Sequence, residues 1–298
     1  MITNFQAYKD YLQKEKKYSS HTLRAYEDDI DAFHSYLKCD HQIDNLNDVH
    51  YTHIRSWIVY LVEKNISNGS INRKISSLKS YYKFLLKIKQ IEFNPLVKHK
   101  SLKAPKKIQI PFSELELNQI NDIENTTDDF ETVRNKLIVE LFYTTGIRRS
   151  ELINLKKNNI DFVSKTLKVL GKRNKERIIP LLPCTIDLIA QYNKKRDNLS
   201  HIENHELLIL SKSGKILSET FVYRLINLYF SGVSQKVKKS PHVLRHTFAT
   251  HLLNNGADLN SVKELLGHAS LSSTQIYTHS SLTELQKVYK KAHPRNKK

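Results

Sequence analysis

Between residues 19 and 38, SSHTLRAYEDDIDAFHSYLK, apolar side chains recur at Leu23, Tyr26, Ile30, Phe33 and Leu37 with charged residues between them. Spacings of three and four place all five on one face, which predicts an amphipathic helix with Ser20 or Thr22 as its cap. YTHIRSWIVYLVEK (51–64) and SINRKISSLKSYYKFLLKIKQ (70–90) repeat the pattern, so residues 1–97 predict an all-helical domain. The periodicity stops in NPLVKHKSLKAPKKIQIPFS (94–113), which has three prolines and many lysines and reads as an extended linker over 98–111. Helical periodicity returns in FETVRNKLIVELFYTTG (130–146), TIDLIAQYNKKR (185–196), SETFVYRLINLYF (218–230), SPHVLRHTFATHLLNNG (240–256) and DLNSVKELLG (258–267). In TLKVLGKRNKERIIPL the pattern changes. Thr166–Leu170 and Arg177–Leu181 flank a polar turn and predict a β-hairpin. The expected fold is mainly α with a small β-sheet: a helical N-terminal domain (1–97), a linker, and an α+β domain (112–298).

Charge changes the picture most. The 298 residues carry a formal net charge of +18 and a pI near 9.6, with 39% hydrophobic residues and a mean hydropathy of −0.51. Such an excess fits a polyanionic partner, nucleic acid first, although a solvated lysine-rich surface gives the same total. The polar face of 70–90 holds Arg73, Lys74, Lys79, Lys83 and Lys87 among Ser70, Asn72, Ser76 and Ser77. Short polar side chains among cations suit a phosphate backbone. Two distant cysteines, Cys39 and Cys184, fit neither a disulfide framework nor a metal knuckle. The first residues, MITNFQAYKDYLQKEKK, lack the apolar core of a signal peptide, and no apolar run reaches the ~18 residues of a membrane span. A cytoplasmic protein with no membrane partner is expected.

Candidate chemistry gathers in the second domain. In TTGIRRSELINL, Gly146 can end one helix and Ser150 begin another, with Arg148 in the junction and Glu151 placed to orient its guanidinium. The hairpin turn GKRNKER presents Lys172, Arg173, Lys175 and Arg177. In 240–256, Ser240, Pro241 and Gly256 mark a helix whose apolar stripe is Leu244, Phe248 and Leu252; Arg245 and His242 lie at the edge of that stripe. In ELLGHASLSSTQIYTH, Gly267 ends a helix before His268, and Ser272 with Gln275 has capping-box spacing ahead of Tyr277. Each has an ordinary reading when taken singly: a local ion pair, a solubilising turn, a helix-end histidine, one tyrosine of fifteen.

In combination and order, TTGIRRSEL, GKRNKER, HVLRHTFATHLL, LLGHASLSSTQIYTH and HPR resemble the tyrosine recombinase (phage integrase) family, closest to its Xer-like branch. SSHTLRAYEDDIDAF and SINRKISSLKSYYKFL are similar to the family's core-binding region, so the likeness covers nearly the whole chain. One departure is Arg173, where the family often has glycine. The resemblance implies a site-specific DNA recombinase that works through a 3′-phosphotyrosine and a Holliday junction. It implies Tyr277 as nucleophile, with Arg148, Arg245 and His268 on the scissile phosphate. Lys172, which follows Gly171 at the matching position, would protonate the leaving 5′-oxygen, and His242 would take or orient the tyrosine proton. Glu151 is expected behind them, and Arg73, Lys74, Lys79, Arg173 and Lys175 against DNA. No cofactor, metal or ATP is expected: there is no Walker-type loop, and His242, His246 and His251 have no suitably spaced partner ligand.

The implied partners are a double-stranded recombination site and a homo- or hetero-tetramer on DNA, with a sister recombinase and a DNA translocase as further candidates. The tail LTELQKVYKKAH, with Leu282, Leu285 and Val288 at helical spacing, suits docking on a neighbour or on its own domain. Two alternatives share parts of this pattern. A type IB topoisomerase uses the same catalytic set without the matching N-terminal helices. A DNA-binding protein that lost catalysis would be expected to lack one of the six positions, and all six are filled.

Overall fold

A computed structural model describes residues 4–105, 109–123, 128–171, 176–236, 238–267 and 279–296, with the backbone alone for 121–123, 279–282 and 284. The chain divides into two units, Met1–Lys107 and Ile108–Lys298.

The first unit is helical: α1 (Phe5–Asp10), continuing as a π turn over Tyr11–Glu15, then α2 (Ser20–Asp40), α3 (Tyr51–Glu63) and α4 (Asn68–Lys87). Ile30, Phe33 and Leu37 of α2 are buried against Ile54 and Trp57 of α3 and Ile71, Ile75, Leu78 and Tyr82 of α4. Each large apolar side chain buried in this way contributes about 1.5–3 kcal/mol. The cap of α2 is Ser19, not Ser20 or Thr22: Ser19 is still extended (φ −68°, ψ 155°), and its hydroxyl accepts from the Thr22 N–H. Ser67 caps α4 in the same way, so that helix starts earlier than its apolar pattern does.

The polar face of α4 is more occupied than its sequence implies. The Asn72 amide donates to the Leu102 carbonyl at 2.8 Å and accepts from the Leu102 N–H at 2.9 Å, while Asn68 donates to the Lys103 carbonyl at 2.8 Å. The first residues of the expected linker are thus bound along this helix. Ser76 and Ser77 also have partners, the Asn72 carbonyl and the Asp29 carboxylate respectively. These groups serve the fold, because a polar group half-covered by its own chain takes the nearest partner.

The second unit surrounds α6 (Phe130–Thr145), whose residues from Leu137 to Thr145 are all buried. A helix apolar on every side belongs in a core. Around it lie α5 (Glu114–Ile123), α8 (Pro183–Asp197), α9 (Glu219–Ser231), α10 (Pro241–Asn254) and α11 (Leu259–Leu266). A short α7 (Arg149–Ile153) leads into an antiparallel sheet of order β1 (Ile160–Asp161), β2 (Thr166–Leu170), β3 (Glu176–Pro180), with Val169 opposite Arg177 and Leu167 opposite Ile179. The hairpin stands as expected, and β1 is an added strand.

The C-terminal helix α12 (His279–Ala292) packs on its own unit, burying Leu285, Tyr289 and Ala292. The Tyr289 hydroxyl donates to the Thr144 carbonyl at 2.6 Å, and Arg295 reaches Asn118 and the Leu117 carbonyl. His293 is buried among Tyr143, Phe248 and Tyr289, and burial drives its pKa down to about 3. Among the described residues no helix is long and apolar enough to cross a membrane.

Candidate active site

Two glycines in the left-handed region set the geometry. Gly146 (φ 58°) ends α6 and Gly267 (φ 65°) ends α11. Neither position has room for a side chain: a Cβ on Gly146 would lie 2.5 Å from Phe248, and one on Gly267 would lie 2.9 Å from Cδ of Arg177. Helix ends leave carbonyls without intrahelical partners and carry partial negative charge, so they attract cations. Here they hold arginines. Arg245 of α10 donates to the Gly146 carbonyl and, at 2.5 Å, to the Leu266 carbonyl. Arg148 reaches the Gly267 carbonyl at 3.4 Å, and Nε of Arg177 donates to the Leu265 carbonyl at 2.9 Å.

Glu151 joins two of the three. Its Oε1 accepts from Arg148 Nη1 at 2.6 Å and from Arg177 Nη1 at 2.9 Å; its Oε2 accepts from Arg177 Nη2 and from the Arg148 backbone N–H, both at 2.8 Å. Burial alone would raise the Glu151 pKa, but the bonds and charges of Arg177, then Arg148, override it and hold the carboxyl down at about 2. Arg148, not Ser150, is the N-cap of α7; Ser150 is already helical. Backbone capping by Glu151 therefore fixes the residue that carries the guanidinium.

Three guanidiniums face a single carboxylate here, which leaves two formal positive charges uncancelled. The strain shows at Arg245: burial, then the Arg148 and Arg177 charges, depress its pKa to about 9. It remains a cation at neutral pH. Arg148 stays about one-third exposed, so the cluster opens to solvent on that side. An oxyanion at this opening would relieve the repulsion and gain forked donors from permanently charged groups.

His242 lies one turn before Arg245 on α10 and is exposed at the surface. Partial desolvation, followed by the charges of Arg245, Lys238, His246 and Arg148, lowers its pKa. A neutral imidazole beside a cationic cluster can accept a proton. His251, on the same helix, is buried with Tyr143 OH 3.1 Å from its Nδ1, and belongs to the core. Among the described residues, no group of three or more His, Cys, Asp or Glu side chains is gathered as metal ligands.

The structure therefore brings together Arg148, Glu151, Arg245 and His242. Lys172, Arg173, Lys175, His268 and Tyr277, and the proposed Ser272–Gln275 cap, lie outside the described residues. Arg73 and Lys74 belong to the first unit, where both bind the buried Asp29, and Lys79 lies on the same helix partly exposed. Arg177, read from sequence as a cation of the turn, is instead buried in β3 beneath the cluster. Strand alternation carried that signal: Arg177 shares parity with the buried Ile179 and pairs with the buried Val169.

Comparison with known proteins places this arrangement. The phage integrase family matches residues 112–284, and the phage integrase N-terminal SAM-like domain matches residues 5–89. The tyrosine recombinase XerC of Staphylococcus aureus (strain MRSA252) is 38% identical over 299 residues, covering 98% of this chain and 97% of that protein. A XerH site-specific recombinase bound to its difH substrate, a pre-cleavage complex, has a TM-score of 0.68 at 25% identity, covering 88% of this chain and 77% of that one. The integrase of transposon Tn1549, solved with circular intermediate DNA, has the same fold at a TM-score of 0.70 and 20% identity, covering 95% and 99%. This chain belongs to the phage integrase family and is a tyrosine-type site-specific recombinase.

Proposed function

We propose that the cluster binds the scissile phosphate of a double-stranded recombination site and that Tyr277 attacks it. The observation that carries this reading is the arginine cluster, whose charge Glu151 only partly cancels. The Tyr277 Oη forms a bond to phosphorus, the bond from phosphorus to the 5′-oxygen breaks, and a 3′-phosphotyrosine and a free 5′-hydroxyl result. His242 takes the tyrosine proton, while Lys172 supplies one to the departing oxygen. Arg148 and Arg245, joined by His268, hold the non-bridging oxygens as negative charge develops. Attack by a 5′-hydroxyl reverses the chemistry, and its exchange between duplexes gives a Holliday junction. These residues do the work with charge and proton transfer, without ATP or a divalent ion.

In this reading residues 1–97 form the core-binding domain, 98–111 the linker and 112–298 the catalytic domain. Arg73, Lys74 and Lys79 in the first, and Arg173 and Lys175 in the second, contact DNA phosphates. Four protomers act on two duplexes in the cytoplasm, as a homo- or hetero-tetramer. A sister recombinase and a DNA translocase are candidate partners, and chromosome-dimer resolution, inversion and integration are the candidate roles.

The test is recovery of covalent protein–DNA adducts from cells under denaturing conditions, with Tyr277→Phe beside the unmodified protein and the attached DNA sequenced. Adducts from the unmodified protein alone, mapping to one short sequence, are expected. Scattered sequences would indicate a topoisomerase-like relaxation activity, and equal recovery from both forms would remove Tyr277 as nucleophile.

A further inference from the structure

We infer that Arg177 is a positioning residue that ties the β2–β3 hairpin to the phosphate-binding arginines, setting Arg148 through Glu151 and the end of α11 through Leu265. This rests on the reading above, in which Arg148 holds the scissile phosphate.

Arg177 is 3% exposed, and all three sides of its guanidinium are used: two nitrogens on the two Glu151 oxygens, and Nε on the Leu265 carbonyl. Its aliphatic stem packs against Gly267, where a Cβ would come within 2.9 Å of Cδ. One side chain thus touches β3, α7 and the end of α11. Each contact leads to a group in the proposed chemistry. Glu151 carries Arg148, Leu266 and Gly267 offer their carbonyls to Arg245 and Arg148, and His268 follows Gly267 in sequence. In sequence, Arg177 stands two residues after Lys175 and five after Lys172.

Lysine cannot reproduce these contacts. The fork meets both oxygens of one carboxylate while a third N–H serves the carbonyl, which a single ammonium cannot match in geometry. Without Arg177, Glu151 would keep only the bonds from Arg148, and burial would favour its protonated form. A protonated Glu151 holds Arg148 less firmly. A static core ion pair would affect melting alone. A positioning residue also changes how cleavage depends on pH.

The experiment uses full-length protein and a nicked duplex that traps the covalent intermediate, with Arg177→Met and Arg177→Lys beside the unmodified protein. Adduct formation in a single turnover is followed from acid to neutral pH. In parallel, the Glu151 carboxyl is read by 13C NMR of the free protein and assigned with Glu151→Gln. For Arg177→Met we expect adduct formation slowed about 10²-fold at neutral pH, the scale of a displaced catalytic group, with a new loss towards acid. The Glu151 resonance should titrate over the same range. Arg177→Lys should lose about tenfold and show a weaker acid limb. Adding Glu151→Gln to Arg177→Met should cost less than the two separate losses combined.

Equal slowing at every pH with an unshifted Glu151 resonance would overturn the inference, as would unmodified rates in a folded Arg177→Met. If the Met variant does not fold, the Lys variant decides: full speed with normal melting overturns the inference. Absence of adduct from the unmodified protein would remove the proposed chemistry and Arg177's part in it. A slow variant beside an active unmodified protein can only concern Arg177.

Discussion

A buried carboxylate surrounded by cations occurs in each unit. In the first, Asp29 of α2 accepts from Arg73 at 2.6 and 2.9 Å, from Lys74 at 3.0 Å and from Ser77 at 2.8 Å. In the second, Glu151 accepts from Arg148 and Arg177, and Arg245 stands beside them on helix-end carbonyls. The donors to Asp29 come from a single turn of α4, with no helix terminus to hold further cations, so this cluster fastens α2 to α4 and retains one positive charge. The Glu151 cluster lies at the C-terminal ends of α6 and α11, whose carbonyls stabilise guanidiniums that the carboxylate does not neutralise. Two positive charges remain. A basic cluster keeps more of its charge when main-chain carbonyls, not carboxylates, hold part of it, which is what the proposed phosphate site requires.

The largest effect expected from this contrast is at Arg245. Arg245→Lys keeps the charge but gives up the fork and one helix-end carbonyl. Adduct formation should fall by about 10²–10³-fold, the scale of losing one transition-state donor. Asp29→Asn should act oppositely, costing the first unit about 1–3 kcal/mol in urea melting, as weakening charged hydrogen bonds to a buried group does. Its cleavage rate at saturating DNA should change little. If Arg245→Lys mainly lowered stability, or Asp29→Asn mainly slowed cleavage, the two clusters would have been assigned the wrong way round.

Acid separates them next. Glu151 is depressed from 4.5 to about 2, so its contribution is full above pH 4.5 and lost as pH falls through about 2. His293 is depressed from 6.5 to about 3, so the unfolded chain binds a proton first and stability is lost from pH 6.5 downward. The second unit should therefore begin losing stability below pH 6.5, well before Glu151 protonates. His293→Gln should reduce that early limb, measured by urea unfolding across the range, and leave the parts that come from His251 and His242, whose pKa burial also lowers, and from the carboxylates.

These cases also show how much was legible in the sequence. Gly146, Gly267 and Pro241 announce helix ends through backbone chemistry that depends only on near neighbours. Arg148, Arg245 and His242 could be picked out by their order along the chain, and the structure places them together. The groups whose surroundings the sequence did not reveal were those whose partners lie far away in sequence. Asn72 looked free for phosphate because Leu102 is thirty residues on. Arg73 showed no partner in the sequence because Asp29, which it binds while staying half-exposed, is on another helix. Arg177 was legible from strand parity, but the charge density of the adjoining turn concealed it. Local rules place helix ends and strand faces; ion-pair partners depend on tertiary packing.

The smallest predicted effect probes the first unit directly. Neutralising one cation that binds a phosphate should flatten the dependence of log Kd on log salt by about 0.9. Lys79 has no carboxylate partner among the described residues, so Lys79→Gln should show nearly the full change. Arg73 is half-exposed but bound through two nitrogens to Asp29, so part of its charge is already neutralised. Arg73→Gln should flatten the slope by clearly less, measured by fluorescence anisotropy of a labelled duplex over a salt series. An equal change would mean that Asp29 orients Arg73 towards phosphate much as Glu151 orients Arg148. The N-terminal cluster would then be a second anion clamp, with a carboxylate in place of helix-end carbonyls.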